Sequence, residues 1–504
     1  MPLLNSVISW FNIKRIYQIQ LYREHPIEIQ NETLFSLLNN AKRTEWGKSH
    51  SYSEIATIEE FQQAVPLQTY EDIKPYVNRL REGERDLLWP GEVKWFAKSS
   101  GTTNDKSKFI PVTKDALEDC HLLGPRDVFA LYIRNYPETK VLFGKTLILG
   151  GSHSINNLSN NSYYGDLSAI LIENVPFWTD FIRIPAAEIA LIEEFEEKVE
   201  KIIETTLDQN VTSFAGVPSW YLVLMKRVLE KTGKRNILEV WPNLEVFTHG
   251  GVNFGPYRGQ YKKLIPSENM HYMETYNASE GFFGIQDDPN SDDMLLMLDY
   301  GVYYEFIPMK NWGKENPGAL PLEKVELNEN YAMVISTNAG LWRYVIGDTV
   351  KFTCKYPFKF KITGRTKHFI NAFGEEVIID NAENALKTAC NRTGAIINEY
   401  TAGPIFIDDD QKGAHQWIIE FEKEPGDLGH FITVLDSSLQ ALNSDYEAKR
   451  HRNMTLEQLH LVVAPRGTFY QWMKNRGKTG GQNKIPRLSN DRRYLDELLK
   501  LIQK

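Results

Sequence analysis

Apolar positions along the chain change their period three times, and each change marks a different kind of architecture. Over residues 31–46, Leu34, Leu37, Leu38 and Ala41 recur at helical intervals, which predicts one amphipathic helix. Thr57-Ile58-Glu59-Glu60 has the form of a capping box opening a short helix that ends before Pro66, and residues 70–81 repeat the amphipathic pattern. A long helical pattern begins at Thr113 and runs through Leu117, His121, Val128, Leu131 and Ile133. From residue 140 short apolar runs alternate with helical ones: strands at 146–151, 211–215 and 244–248, helices over 186–207 and from Pro218-Ser219. Glycines close the strands, as in Gly150-Gly151 and Gly250-Gly251. This alternation predicts a mostly parallel sheet with helices on both faces.

Beyond Gly281 the period shortens to two, with strands at 294–299, 303–308, 332–336, 341–346 and 349–353, so an antiparallel subdomain or small barrel is expected. After Arg365 the pattern mixes again: helix 379–393, strands 396–407 and 417–422, helix 429–442, strand 459–464 and helix 491–502. The expected fold is therefore α/β: a large N-terminal domain, 1–364, with mixed sheets flanked by helices and a β-rich subdomain, and a small α+β C-terminal domain, 365–504, with helices on one side of its sheet.

At the N-terminus Leu3, Leu4, Val7, Ile8, Phe11, Ile16 and Ile19 are interrupted by Asn5, Asn12, Lys14 and Arg15. That interruption predicts an amphipathic helix docked on the body rather than a signal peptide, with a membrane-surface helix as the alternative. No run of about 18 apolar residues exists to span a bilayer. The net charge of −9, with no long basic stripe, argues against nucleic acid and for a small-molecule ligand. Cys120, Cys354 and Cys390 are far apart and without metal spacing, which suits a reducing, cytoplasmic setting. Oligomeric state is not readable.

Three stretches carry chemistry. Lys98-Ser99-Ser100-Gly101-Thr102-Thr103 follows an apolar run and is succeeded by Lys106 and Lys108. Its backbone N–H groups and hydroxyls suit a phosphate, although a solvated turn has the same composition. It lacks the Gly-Lys-Ser/Thr close of the Walker loop. In Tyr272-Met273-Glu274-Thr275-Tyr276-Asn277-Ala278-Ser279-Glu280-Gly281 a strand empties into small residues and one carboxylate. Glu280 there suits Mg²⁺ held mainly by substrate phosphates, or else belongs to a surface turn. In Tyr344-Val345-Ile346-Gly347-Asp348, Asp348 suits a pair of ribose hydroxyls, or a Gly-Asp hairpin turn. Arg126, near the first stretch, can face an anionic substrate or simply lie on the surface. His249 has no partner carboxylate nearby in sequence and is read as a pocket wall.

Taken in order, these stretches resemble the three ATP-binding motifs of the auxin-responsive Gretchen Hagen family of acyl-acid amido synthetases, within the adenylate-forming superfamily. The resemblance runs nearly end to end and includes Val65-Pro66, Tyr70-Glu71, Gly467-Thr468-Phe469 and Gly480-Gly481-Gln482-Asn483-Lys484. It departs from the family at Asn277 and Ala278, where serine is usual, and at Val345 and Ile346, which replace a more basic Arg-Leu.

The resemblance implies ATP-dependent adenylation of a carboxylic acid, with Mg²⁺, followed by transfer of the acyl group to an amine, an amino acid in particular. Ser99, Ser100, Gly101, Thr102 and Thr103 would cradle phosphates, with Lys108 as the phosphate-loop lysine and Glu280 as the Mg²⁺ ligand. Gly250, Gly251, Tyr276 and Asn277 would form the adenine slot, Asp348 would take the ribose, and Arg365, in the hinge motif Gly364-Arg365-Thr366, would join the nucleotide-binding set. Lys484, on the lid's glycine-rich loop, would reach the α-phosphate. The acyl pocket would draw on Ile170, Leu171, Phe177 and Trp178, which are equally at home in a core. Two alternatives stand beside this reading: an acyl-CoA synthetase of the same superfamily, and a nucleotide-binding regulatory protein without turnover.

Overall fold

The structure is a computed structural model that describes residues 2–100, 107–150, 156–157, 162–176, 179, 181–192, 194–252, 254–366, 369–408, 412–451, 456–476 and 485–503. A twelve-stranded sheet forms its backbone. Five strands at one end are parallel: Arg183–Ile184, Lys145–Leu149, Val211–Gly216, Val246–His249 and His271–Ala278. A tight turn at Ser279-Glu280 then reverses the chain into Gly281–Ile285. From there the sheet continues antiparallel through Met294–Leu296, Phe358–Arg365, Tyr344–Lys355, Asn330–Thr337, Val302–Pro308 and Leu320–Pro321. The β-rich segment is thus the second half of one open sheet, joined to the parallel half at the turn that carries Glu280. Val302–Pro308 and Gly281–Ile285 are buried at every position, because helices cover this half too.

A separate hairpin, Trp95–Ser100 with Ser107–Val112, brackets the first chemical stretch, and its first strand also pairs in parallel with Tyr163–Gly165. The largest core cluster joins this hairpin, the N-terminal helices and the antiparallel half of the large sheet. A second cluster fills the parallel half.

The helices differ from the periodicity in instructive places. The span 31–46 divides into Pro26–Ala41 and Glu45–Ser49, because Thr44 is an N-cap whose hydroxyl accepts the Gly47 N–H at 3.0 Å. Thr57 and Glu60 form the expected reciprocal capping box. After Thr113 caps its own short turn, a π-turn at Leu117–His121 precedes the helix Leu123–Asn135 and buries both Cys120 and His121. The span 186–207 breaks into Ala187–Ala190 and Phe195–Thr206, the latter capped by the Glu194 side chain.

The N-terminal helix Pro2–Glu24 docks on the body through Ile19, Tyr22 and a buried ion-pair group. Within it, Arg15 reaches Asp127 at 2.6 Å and Asp299 at 2.5 Å, while the Tyr300 hydroxyl donates to Asp127 at 2.7 Å. Among the described residues, no helix is long and apolar enough to cross a membrane.

Beyond residue 369 the chain builds its own cores. Ile396–Ile405 pairs antiparallel with Ala414–Lys423, which pairs in parallel with His460–Ala464. Strand alternation sends Trp417, Ile419, Leu461 and Val463 to one face, against Leu386, Phe431 and Leu435 of the helices Ile379–Thr393 and Leu428–Leu442. It sends Ile418 and Val462 to the other, against Phe469, Trp472, Leu495 and Leu498 of Thr468–Asn475 and Arg493–Ile502. Helices therefore cover both faces of the small sheet, not one, because both of its faces are apolar.

Candidate active site

The hairpin, the Ser279-Glu280 turn and the Asp348 strand meet in one polar cluster, in which Lys108 and Glu280 are buried and Asp348 is half-buried. Ser99 stands opposite Lys108 in the hairpin register. The Lys108 side chain is only 7% exposed, with its ammonium 5.8 Å from the Tyr70 ring centre. The Tyr70 hydroxyl accepts the N–H of Phe109 at 2.9 Å, tying the capped helix Tyr70–Arg81 to the hairpin beside Lys108.

Glu280 belongs to a turn, yet it is 8% exposed, so it is no surface-turn residue. The following Gly281 is required by packing: a Cβ there would stand 2.7 Å from the Phe283 ring. Burial pushes the Glu280 carboxyl from 4.5 up to about 7, with Lys108 opposing and Asp348 and Glu376 adding to the rise. Burial likewise pulls the Lys108 ammonium below its ordinary value, and Glu280 is the largest opposing influence.

Asp348 lies inside the strand Tyr344–Lys355, after Gly347 with φ +96°, and directly across the ladder from Arg365. It accepts a hydrogen bond from the Tyr276 hydroxyl at 2.5 Å and an ion-pair contact from Arg365 Nε at 2.8 Å. Arg365 turns its other edge to Glu376, Nη1 to Oε1 3.0 Å. Burial opposes the Arg365 charge, but Glu376 and Asp348 outweigh it and hold the guanidinium more firmly protonated than usual. Glu376 sits at φ +38° in a loop organised by its neighbour: the Glu375 carboxylate accepts N–H groups from Ala372 and Phe373 at 3.2 and 2.6 Å and pairs with His415 Nε2 at 2.9 Å.

Gly250 and Asn277 come together beside the cluster. A Cβ on Gly250 would meet the Thr275 carbonyl oxygen at 2.5 Å and Asn277 Oδ1 at 3.3 Å, and Gly251, at φ +82°, accepts from the Asn371 amide at 3.2 Å. Tyr276 is the strand neighbour of Asn277 and so points to the other face, toward Asp348. The structure therefore separates two residues that the motif reading grouped in one slot. His249 is buried, tilted against Phe254 with ring centres 4.2 Å apart, and burial pulls its imidazole down to about 3. It is a neutral residue packed among aromatic rings.

Arg126 is exposed on Leu123–Asn135; its neighbour Asp127 is the inward residue, paired with Arg15. Ile170 and Leu171 belong to the main core cluster. Gly101, Thr102, Thr103, Lys106, Phe177, Trp178 and Lys484, and the side chain of Ser100, lie outside the described residues. Glu376 and Tyr70 join the cluster without having been singled out for chemistry. Glu376 follows Gly374 by two residues, a signal for a turn nearby, but nothing in the sequence pairs it with Arg365.

Among the described residues, no group of three or more His, Cys, Asp or Glu side chains is arranged to hold a metal ion. One buried carboxylate beside a phosphate-loop candidate is nevertheless a fitting donor for Mg²⁺ that arrives with a nucleotide, since Mg²⁺ commonly keeps its waters and takes only one or two carboxylates.

Models of the GH3 family match the chain in sequence order: the N-terminal domain over residues 15–270, the central domain over 295–365 and the C-terminal domain over 380–493. The chain belongs to the GH3 family. Indole-3-acetic acid-amido synthetase GH3.4 of Arabidopsis thaliana is 22% identical, over 94% of this chain and 91% of its own. The 4-substituted benzoates-glutamate ligase GH3.12 of the same plant is 24% identical, over 95% and 96%. Among solved structures, the GH3.15 acyl acid amido synthetase is similar over 94% of this chain and 93% of its own, at 19% identity and a TM-score of 0.57. A 2-hydroxyisobutyryl-CoA ligase is similar over 95% and 92%, at 12% identity and a TM-score of 0.54. These structural likenesses establish a shared fold, that of GH3 enzymes and of an adenylate-handling ligase.

Proposed function

We propose that this protein is an ATP-dependent acyl-acid amido synthetase, which adenylates a carboxylic acid and passes the acyl group to an amino acid. The observation that carries the reading is convergence: in a GH3-family chain, Lys108, Glu280, Tyr276, Asp348 and Arg365, drawn from the three chemical stretches and the hinge motif, form one largely buried cluster. The names of the GH3 relatives, an amido synthetase and a glutamate ligase, support the reaction class.

In the first half-reaction a carboxylate oxygen bonds to the α-phosphorus of ATP and pyrophosphate leaves. Both reactants are anions, so the protein must neutralise and align them more than it must move protons. In this reading Lys108 and the residues from Ser99 would meet the β- and γ-phosphates, Glu280 would hold Mg²⁺, and Lys484 would act at the α-phosphate. Magnesium bound with the nucleotide would supply further neutralisation of the leaving pyrophosphate. Asp348, oriented by Tyr276 and Arg365, takes the ribose hydroxyls, and Gly250, Gly251 and Asn277 flank the adenine. In the second half-reaction the amine nitrogen bonds to the acyl carbon, and AMP and a proton leave. Residues 365–504 act as a mobile lid, and the Arg365–Glu376 pair lies at its hinge.

The test is acid-dependent ATP/pyrophosphate exchange with Mg²⁺ over aromatic, fatty and keto acids, without amine or coenzyme A, followed by addition of amino acids and coenzyme A in turn. Exchange followed by amide formation supports the proposal. Thioester as the only product would make the protein an acyl-CoA synthetase, and ATP binding without exchange on any acid would favour a regulatory role.

A further inference from the structure

Away from the Lys108–Glu280 cluster, two buried lysines far apart in the sequence lie near enough for the charge of one to act on the other. Lys198, on Phe195–Thr206, is 1% exposed, and Lys449, on Ser444–Arg450, is 9% exposed. Burial pulls the Lys198 ammonium down to about 8, with Asp166 raising it and Lys449 lowering it further. The Lys449 ammonium rests 4.3 Å above the centre of the Trp220 ring. Its stem passes Gly374, where a Cβ would stand 3.6 Å from Lys449 Cε and 4.0 Å from Trp220.

The location is where ligands enter open α/β sheets. Trp220 lies in the first turn of Pro218–Thr232, immediately after the strand Val211–Gly216. Asp166 precedes Leu167–Asn174, whose Ser168 packs against Gly150 at the end of the neighbouring parallel strand Lys145–Leu149. Both points lie outside the carboxyl ends of adjacent parallel strands. Gly374 and Lys449 bring the C-terminal part of the chain over them.

A lysine with nine-tenths of its surface removed from water ordinarily has a carboxylate partner. Lys198 has Asp166 facing it. Among the described residues, Lys449 has no carboxylate within ion-pair distance; its charge is met by the Trp220 ring alone. Such a ring stabilises a cation only in part, so the pair of lysines retains an attraction for a single negative group. One carboxylate satisfies that demand, whereas the several phosphates of coenzyme A exceed it.

Resting on the function proposed above, we infer that Lys449, with Lys198 and the face of Trp220, forms a subsite for the α-carboxylate of the amino-acid acceptor. The site then has a directional logic: the carboxylate is held between the two parts of the chain, and the amine points away from it toward the acyl group.

The test uses the full chain, an acid that supports ATP/pyrophosphate exchange, and paired acceptors that differ only in the carboxylate: tyrosine against tyramine, histidine against histamine, leucine against isopentylamine. For Lys449→Met the KM for the productive amino acid rises roughly ten- to a hundredfold, the loss of a charged hydrogen bond, while exchange without acceptor is unchanged. Lys449→Arg restores most of the affinity, and turnover of the decarboxylated amine is low and equal in all three proteins. Unchanged exchange also shows that the variants fold. An unaltered KM in Lys449→Met, or equal use of amine and amino acid by the wild type, overturns the subsite and leaves the synthetase reading standing. Absence of exchange with every acid removes the synthetase reading, and the subsite with it.

Discussion

Arg365 and Asp348 face each other across two neighbouring strands, the guanidinium Nε 2.8 Å from the carboxylate, at a point where the ladder pairs them directly. Asp348 also receives the Tyr276 hydroxyl. The carboxylate is therefore aimed before any ligand arrives.

Asp348→Ala is expected to weaken ATP binding roughly tenfold or more, the scale of hydrogen bonds to a charged group. Arg365 keeps Glu376 as a partner in that variant, so thermal stability should change little. Equilibrium titration with ATP alongside a melting curve checks both, and unchanged affinity would remove Asp348 from nucleotide binding.

Glu280 titrates near neutrality, and this makes two pH dependences. Adenylation that needs ionised Glu280 as a Mg²⁺ donor should climb as pH rises through about 7 at low Mg²⁺ concentration. High Mg²⁺ should shift the climb to lower pH, and Glu280→Gln should abolish it. Stability moves the other way: between 4.5 and about 7 the folded protein holds a proton that the unfolded chain releases, so this group favours folding at low pH and loses that contribution as pH rises. Denaturant unfolding at pH 5 and pH 8 should show Glu280→Gln gaining on the wild type only at the higher pH.

Lys484→Ala is expected to slow acid-dependent exchange by orders of magnitude while ATP affinity is nearly retained, because a charge delivered to the α-phosphate matters mainly in the transition state. An exchange rate equal to the wild type's would exclude Lys484 from the chemistry.

Removing the guanidinium that secures the N-terminal helix should cost far more than a surface charge. Asp127 is fully buried and its carboxyl is already pushed up by desolvation against the opposing pull of Arg15. Arg15→Met leaves it unpaired, with an expected loss of about 3–5 kcal/mol, read by urea unfolding. A loss below about 1 kcal/mol, the range of exposed ion pairs, would mean that the helix contributes little.

Long, strongly periodic elements were legible without coordinates: the helix Tyr70–Arg81, the helix Ile379–Thr393 and the parallel half of the sheet all follow from spacing and caps. The order of the three chemical stretches points to the GH3 family. What could not be read is how distant polar residues find each other. Glu280 looks like any turn glutamate, and only the packing around Gly281 buries it. Asp348 resembles a hairpin aspartate because Gly347 precedes it; in three dimensions the strand runs on through that glycine, and the register, which shifts between Thr349 and Val350, decides that Arg365 lies opposite. The breaks at Thr44 and Glu194 arise because capping side chains outweighed helical period.

The cluster's composition also governs what can enter it. Its described members set two cations, Lys108 and Arg365, against three carboxylates, Glu280, Asp348 and Glu376. A bare polyphosphate approaching these groups meets a neighbourhood that already holds more carboxylates than cations. Entry is favourable for a nucleotide that carries its own divalent ion, or for one met by further lysines brought from elsewhere in the chain. On the function proposed above, the cluster would discriminate by charge before it discriminates by shape, and the proton that Glu280 retains near neutrality would keep that excess small until a metal ion displaced it.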